Sequence, residues 1–161
     1  MLEVRYVSER SLRDERGPRL LRYLLEHGAD EFSITVMALQ DTQAPFADAF
    51  EDELGPYERP AASRRVLART AANVVQRTVR LWSFHEQSLA RLLSFVDTGL
   101  FHWPPGPDGW LEDLTIYRRG ELILGLVSHE LEGVLRLTRS EHNAVAAFGI
   151  SSDTAADSIG W

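Results

Sequence analysis

The longest run of helical periodicity in the chain lies between Ala61 and Val96. Val66, Leu67, Thr70, Ala71, Val74, Val75, Thr78, Val79 and Trp82 recur at steps of three and four, the spacing that lines one side of a 3.6-residue helix. Arg65, Arg69, Asn73, Gln76, Arg77 and Arg80 fall on the other side. Ser83 and Glu86 have the spacing of a capping box, and Leu89, Leu92, Leu93 and Val96 begin a fresh stripe. Two helices are therefore predicted, about 62–82 and 84–96. A strand at Thr78–Phe84 is the competing reading, because β-branched and aromatic residues crowd there.

Before this run, Leu2, Val4 and Tyr6 alternate with Glu3 and Arg5 as in a short half-buried strand. Ser11 with Asp14 has the spacing of a weak capping pair. Pro18 suits the first turn of a helix whose buried stripe is Leu20, Leu21, Leu24 and Leu25, with Gly28 as its left-handed terminator. Phe32 to Leu39 is rich in β-formers and apolar on both parities, so it reads as a central strand. Pro45 opens a helix with Phe46, Phe50 and Leu54 on one face, ended by Gly55-Pro56.

After it, Thr98 to Gly109 holds three prolines and reads as a loop. Leu111–Arg118 and Glu121–His129 flank a turn at Arg119-Gly120, and Gly133–Leu137 pairs back after a second turn. Leu122 to Val127 is apolar on both faces, as expected of a strand between two neighbours. Thr138 and Glu141 form a capping box before a short closing helix that Gly149 ends. The expected order is roughly β-α-β-α-α-α-β-β-β-α. It implies an α+β fold with helices packed on one face of a mostly antiparallel sheet. Residues 1–150 would form one compact domain, and 151–161 a polar, flexible tail.

Charge adds a local relationship to this picture. Asp41 to Glu58 holds six acidic residues and no basic one, whereas Arg59 to Phe95 holds seven arginines and one glutamate. The two blocks are expected to face each other, which orients them more than it stabilises them. The net charge of −7 argues against non-specific nucleic-acid binding. Every basic side chain is arginine, so Schiff-base lysine chemistry and the phosphate-loop motif are excluded. The absence of cysteine removes disulfides, thiolate metal sites and a thiol nucleophile. No segment reads as a signal peptide or a membrane span, and a cytoplasmic location is expected.

Asp97-Thr98-Gly99 resembles the signature triplet of pepsin-like and retroviral-type aspartic proteases, and Ile123-Leu124-Gly125 is similar to the apolar element behind it. That chemistry needs two aspartates sharing a proton. The interval here is too short for the intervening sheet, so the triplet is read as a helix-ending turn. His27, His85, His102, His129 and His142 show no zinc-helix spacing, although His129 ends a strand beside Ser128 and two glutamates. No nucleophile elbow or dinucleotide fingerprint occurs. No catalytic, cofactor or metal residue is assigned.

Two surfaces remain as candidates for interaction. The first is the arginine face, Arg65, Arg69, Arg77 and Arg80, suited to phosphate or an acidic protein. The second is His102, Trp103 and Trp110 in and beside a proline-stiffened loop. The first functional reading is a non-catalytic protein-binding module, such as an adaptor, inhibitor or immunity-type partner, binding another protein or a second copy of itself. The second is a hydrolytic or metal-assisted enzyme with a dispersed His/Glu/Asp site. The third is a nucleic-acid-associated regulator using the arginine face of residues 64–80.

Overall fold

The computed structural model describes residues 1–38, 45–59, 64–69, 74–103 and 109–154. Its architecture is α+β. Nine strands are present among these residues: β1 (Leu2–Ser8), β2 (Glu31–Ala38), β3 (Arg64–Arg69), β4 (Val74–Val79), β5 (Trp82–Ser83), β6 (Gly109–Arg118), β7 (Glu121–Val127), β8 (Glu132–Thr138) and β9 (Asp153–Thr154). The helices are α1 (Arg16–Glu26), α2 (Pro45–Leu54), α3 (Glu86–Leu93) and α4 (Arg139–Ala146). Seven strands form one antiparallel sheet in the order β5-β2-β6-β7-β8-β1-β9, while β3 and β4 pair with each other.

The register puts Phe32 opposite Ile116, Ile116 opposite Leu124, and Leu124 opposite Leu135. Directly opposed residues share a face of a sheet, so these four positions define its inner side. Leu20, Leu21 and Leu24 of α1, Phe50 and Leu54 of α2, Leu89 and Leu92 of α3 and Val145 of α4 belong to the same buried cluster. Trp82 stands at the centre of its aromatic part. It stacks on Phe32 at 5.5 Å and meets Phe50 edge-on at 5.6 Å, both favoured ring geometries. The helices cover one face of the sheet, as the alternation of the sequence implies.

Several local expectations hold. Arg119 and Gly120 both take positive φ in the turn between β6 and β7, as a two-residue hairpin turn requires. Gly28 has a φ of +88° just beyond α1. Thr138 and Glu141 form the reciprocal box at the start of α4.

The main correction concerns residues 62–82. The helix predicted there is replaced by β3, β4 and β5, with Arg65 opposite Thr78, Ala68 opposite Val75 and Arg69 opposite Val74. The reason is visible in the residue types. Val66, Thr70, Val74 and Thr78 are spaced by four, and an even step satisfies the two-residue period of a strand as well as the helical one. All four are β-branched, which favours the pleated conformation. The second helix exists, but its cap lies two residues later than expected: the His85 side chain accepts from Ser88 N, and Ser88 Oγ accepts from His85 N at 3.0 Å. Helix α1 begins at Arg16 without a side-chain cap, and Ser11 sits in a 3₁₀ turn (Glu9–Leu12) with its hydroxyl 2.9 Å from that of Ser151. The segment expected as a free tail contributes Asp153–Thr154, which pair with Tyr6 and Arg5 of β1; 155–161 lie outside the described residues.

Candidate functional site

Leu111 and Leu114 are both buried, although three residues apart on one strand. Simple alternation would place them on opposite faces. Strand β6 resolves the conflict with a bulge: its register against β2 slips between Ser33 and Thr35, and Asp113 takes a φ of +55°. Such an insertion re-aims the residues beside it. The turn after β7 is fastened to this bulge by two reciprocal hydrogen bonds. Ser128 N donates to Asp113 Oδ1 at 2.8 Å, and Asp113 N donates to Ser128 Oγ at 2.9 Å. The turn after β7 is held against the bulge in this way.

A cleft of about 410 Å³ lies there, between the start of β6, the turn after β7 and the loop following α3. Leu111, Phe101 and Trp103 are almost wholly buried and give it apolar walls. Trp110 is half-buried, and its indole N–H donates to Glu112 Oε1 at 2.8 Å. Asp97, His102, Ser128 and His129 complete the polar lining. The loop that carries Asp97 to Trp103 is itself tightly tied. Asp97 N donates to His102 O, His102 N to Gly99 O, and Asp14 N to Thr98 O at 2.8 Å.

Behind the cleft, His102 Nε2 lies 2.7 Å from Glu9 Oε1. The carboxylate can only accept, so Nε2 carries the proton and Nδ1 is left as an acceptor in the neutral ring. Glu9 also accepts from Arg13 Nε. That hydrogen bond from Arg13, against the opposing effect of burial and with help from His102, holds the Glu9 carboxyl below the usual range. A histidine oriented by a buried carboxylate is a group able to relay a proton.

The predicted candidates separate into two sets. His102, Trp103 and Trp110 all line the cleft, together with His129 and Ser128 that the sequence had set apart. Trp103 faces largely inward at 6% exposure. His129 is surface-exposed, with Nε2 3.9 Å from Glu130. The arginines do not join them. Arg65 and Arg69 are on β3 and Arg77 on β4, so the single helical face that grouped them does not exist; their side chains lie outside the described part of the structure. Arg80 Nη1 and Nη2 donate to Glu51 and Glu58, and Arg91 pairs with Glu53 at 3.0 Å. These pairs are the expected meeting of the acidic block with the arginine-rich one.

The remaining histidines serve the fold. His85 caps α3, His27 stacks on Tyr23, and His142 is fully buried with Nε2 3.0 Å from Glu3 O. Among the described residues no group of three or more His, Asp or Glu side chains is placed to hold a metal ion, and no helix is long and apolar enough to cross a membrane. Sequence reasoning missed Asp97 and Glu112 as cleft groups and Glu9 as the partner of His102. Glu9 and Glu112 carry no motif, and Asp97 was accounted for as part of a turn. A second concavity of about 560 Å³ runs between α1 and α3, floored by Leu25, Leu89 and Leu93.

Comparison with known proteins adds no relative: no family model, curated protein or solved structure matches the chain.

Proposed function

We propose that this protein is a binding module acting in the cytoplasm, and that the cleft at Asp97–Trp103, Trp110–Glu112 and Ser128–His129 is where it grips another protein. The observation that carries this reading is the convergence of His102, Trp103 and Trp110 from two separate elements on one concave surface. Trp110 is half-buried on β6 and Trp103 sits in the tied-down loop, and aromatic rings held rigidly in this way give contact area at little entropic cost on binding, the chemistry found at interface hot spots. The arginine surface gives less support, since Arg80 is already occupied by Glu51 and Glu58. Changing Trp110 to Ala, which leaves the buried Trp103 in place, should abolish capture of a partner identified by crosslinking and mass spectrometry. Undiminished capture by Trp110→Ala removes the cleft from the interface.

A hydrolytic enzyme is the second reading. It is favoured by His102, held by Glu9 in the same cleft as His129 and two carboxylates. Turnover of ester or phosphate substrates by the wild type and its loss in His102→Ala would establish it. Identical rates for the two proteins would dismiss it.

A further inference from the structure

We infer that the cleft recognises an arginine side chain of its partner. This rests on the binding reading above and adds the chemistry of the ligand. Among the described residues the charged lining consists of Asp97 and Glu112, with the two histidines His102 and His129, and no arginine lines the cleft. Arg13, which bonds the carboxylate that holds His102, is matched by the buried Glu9. The Asp97 carboxylate is exposed and has no partner among the described residues. Glu112 uses Oε1 to accept from Trp110 and keeps Oε2 for another donor.

A second, independent observation points the same way. Trp103 lines the cleft at 6% exposure, and its indole N–H is buried with no acceptor among the described residues. A buried unpaired donor is costly, so among the described residues the site is short of an acceptor as well as of a cation. One ligand supplies both: a peptide segment whose backbone carbonyl faces Trp103 and whose guanidinium reaches the carboxylates. Guanidinium suits the site better than ammonium. It is planar, it bonds carboxylates in a fixed fork, and it stacks on an indole face such as that of Trp110.

The test uses short peptide libraries that are identical except at a central position fixed as arginine, citrulline or glutamate. Binding is followed by tryptophan fluorescence. Citrulline keeps the shape of arginine and removes its charge. The wild type should bind the arginine library roughly tenfold more tightly than the citrulline library, the scale of one charge-assisted hydrogen bond. Glutamate should bind weakest. In a doubly substituted Asp97→Asn, Glu112→Gln protein, shown to be folded by circular dichroism, that preference should vanish. Equal affinity of the wild type for arginine and citrulline libraries overturns the inference and leaves the cleft as a binding site. No binding of any library overturns both. Preference retained in the double variant places the arginine elsewhere and also overturns it.

Discussion

Gly99 approaches Leu12 so closely that a methyl group on its α-carbon would stand 2.8 Å from the Leu12 carbonyl oxygen and 3.0 Å from the Arg13 α-carbon. Both obstacles are backbone, so neither can swing aside. The contact accounts for the Asp97-Thr98-Gly99 triplet without proteolysis, because the glycine lets the loop after α3 lie against the 3₁₀ turn that carries Glu9. Gly99→Ala should cost about 1–3 kcal/mol, the usual range for overpacking. Chemical denaturation measures this, and an unchanged midpoint would show that the loop yields.

Glu141 joins two ends of the fold. Burial alone would raise its carboxyl, but hydrogen bonds from Arg118 Nη1 and from the Thr138 backbone and hydroxyl outweigh that and hold it at about 2, against an ordinary value of 4.5. A carboxyl depressed on folding contributes fully above its unfolded value, and the contribution is lost as pH falls through the folded one. Stability should therefore decline between about 4.5 and about 2, by roughly 3 kcal/mol from this group. Glu141→Gln should be less stable at neutral pH and should close most of its gap to the wild type by pH 2. A gap independent of pH would mean that the carboxylate charge contributes nothing.

Arg80 bridges α2 and the segment after it through Glu51 and Glu58, but its side chain is 41% exposed. Exposed pairs are weak. Arg80→Ala should cost no more than about 1–2 kcal/mol for both contacts, and most of that should disappear in high salt. A larger, salt-independent loss would point to its position over the Trp82 ring, 5.1 Å away, as the stronger contact.

The hairpin of β3 and β4 is open to a spectroscopic check. Cross-strand nuclear Overhauser effects between Arg65 and Thr78, and between Ala68 and Val75, follow from the register. Strand-type chemical shifts should accompany them. Helical shifts across 64–79 would reinstate the periodicity reading.

These cases show where the sequence was legible. The strands β6, β7 and β8 and both turns around β7 could be read because turn residues and alternation agreed, as at Arg119-Gly120. Helix α2 was marked by Pro45 with Phe50 and Leu54 at steps of four. The segment 64–79 failed because its spacing fits two periods at once, so residue type had to decide. The cleft was half legible. His102, Trp103 and Trp110 stood out by composition, whereas Glu9 reaches His102 across 93 positions of sequence, a distance over which no local pattern carries information. The odd spacing of Leu111 and Leu114 did announce the bulge, had it been set against strict alternation.

The seven-stranded sheet ends on each side in a strand of two residues, β5 against β2 and β9 against β1. An uncovered edge offers free amide and carbonyl groups to any passing strand, the first step toward fibrous aggregation. Among the described residues β9 covers Arg5 and Tyr6 of β1 alone, and Val4 is exposed beside them. The pair Asp153–Thr154 thus works as a guard rail, interrupting the edge where a longer partner would need continuous pairing. Cutting the chain after Ile150 would leave the core residues in place and lengthen that open edge, and the truncated protein should lose colloidal stability before it loses its fold.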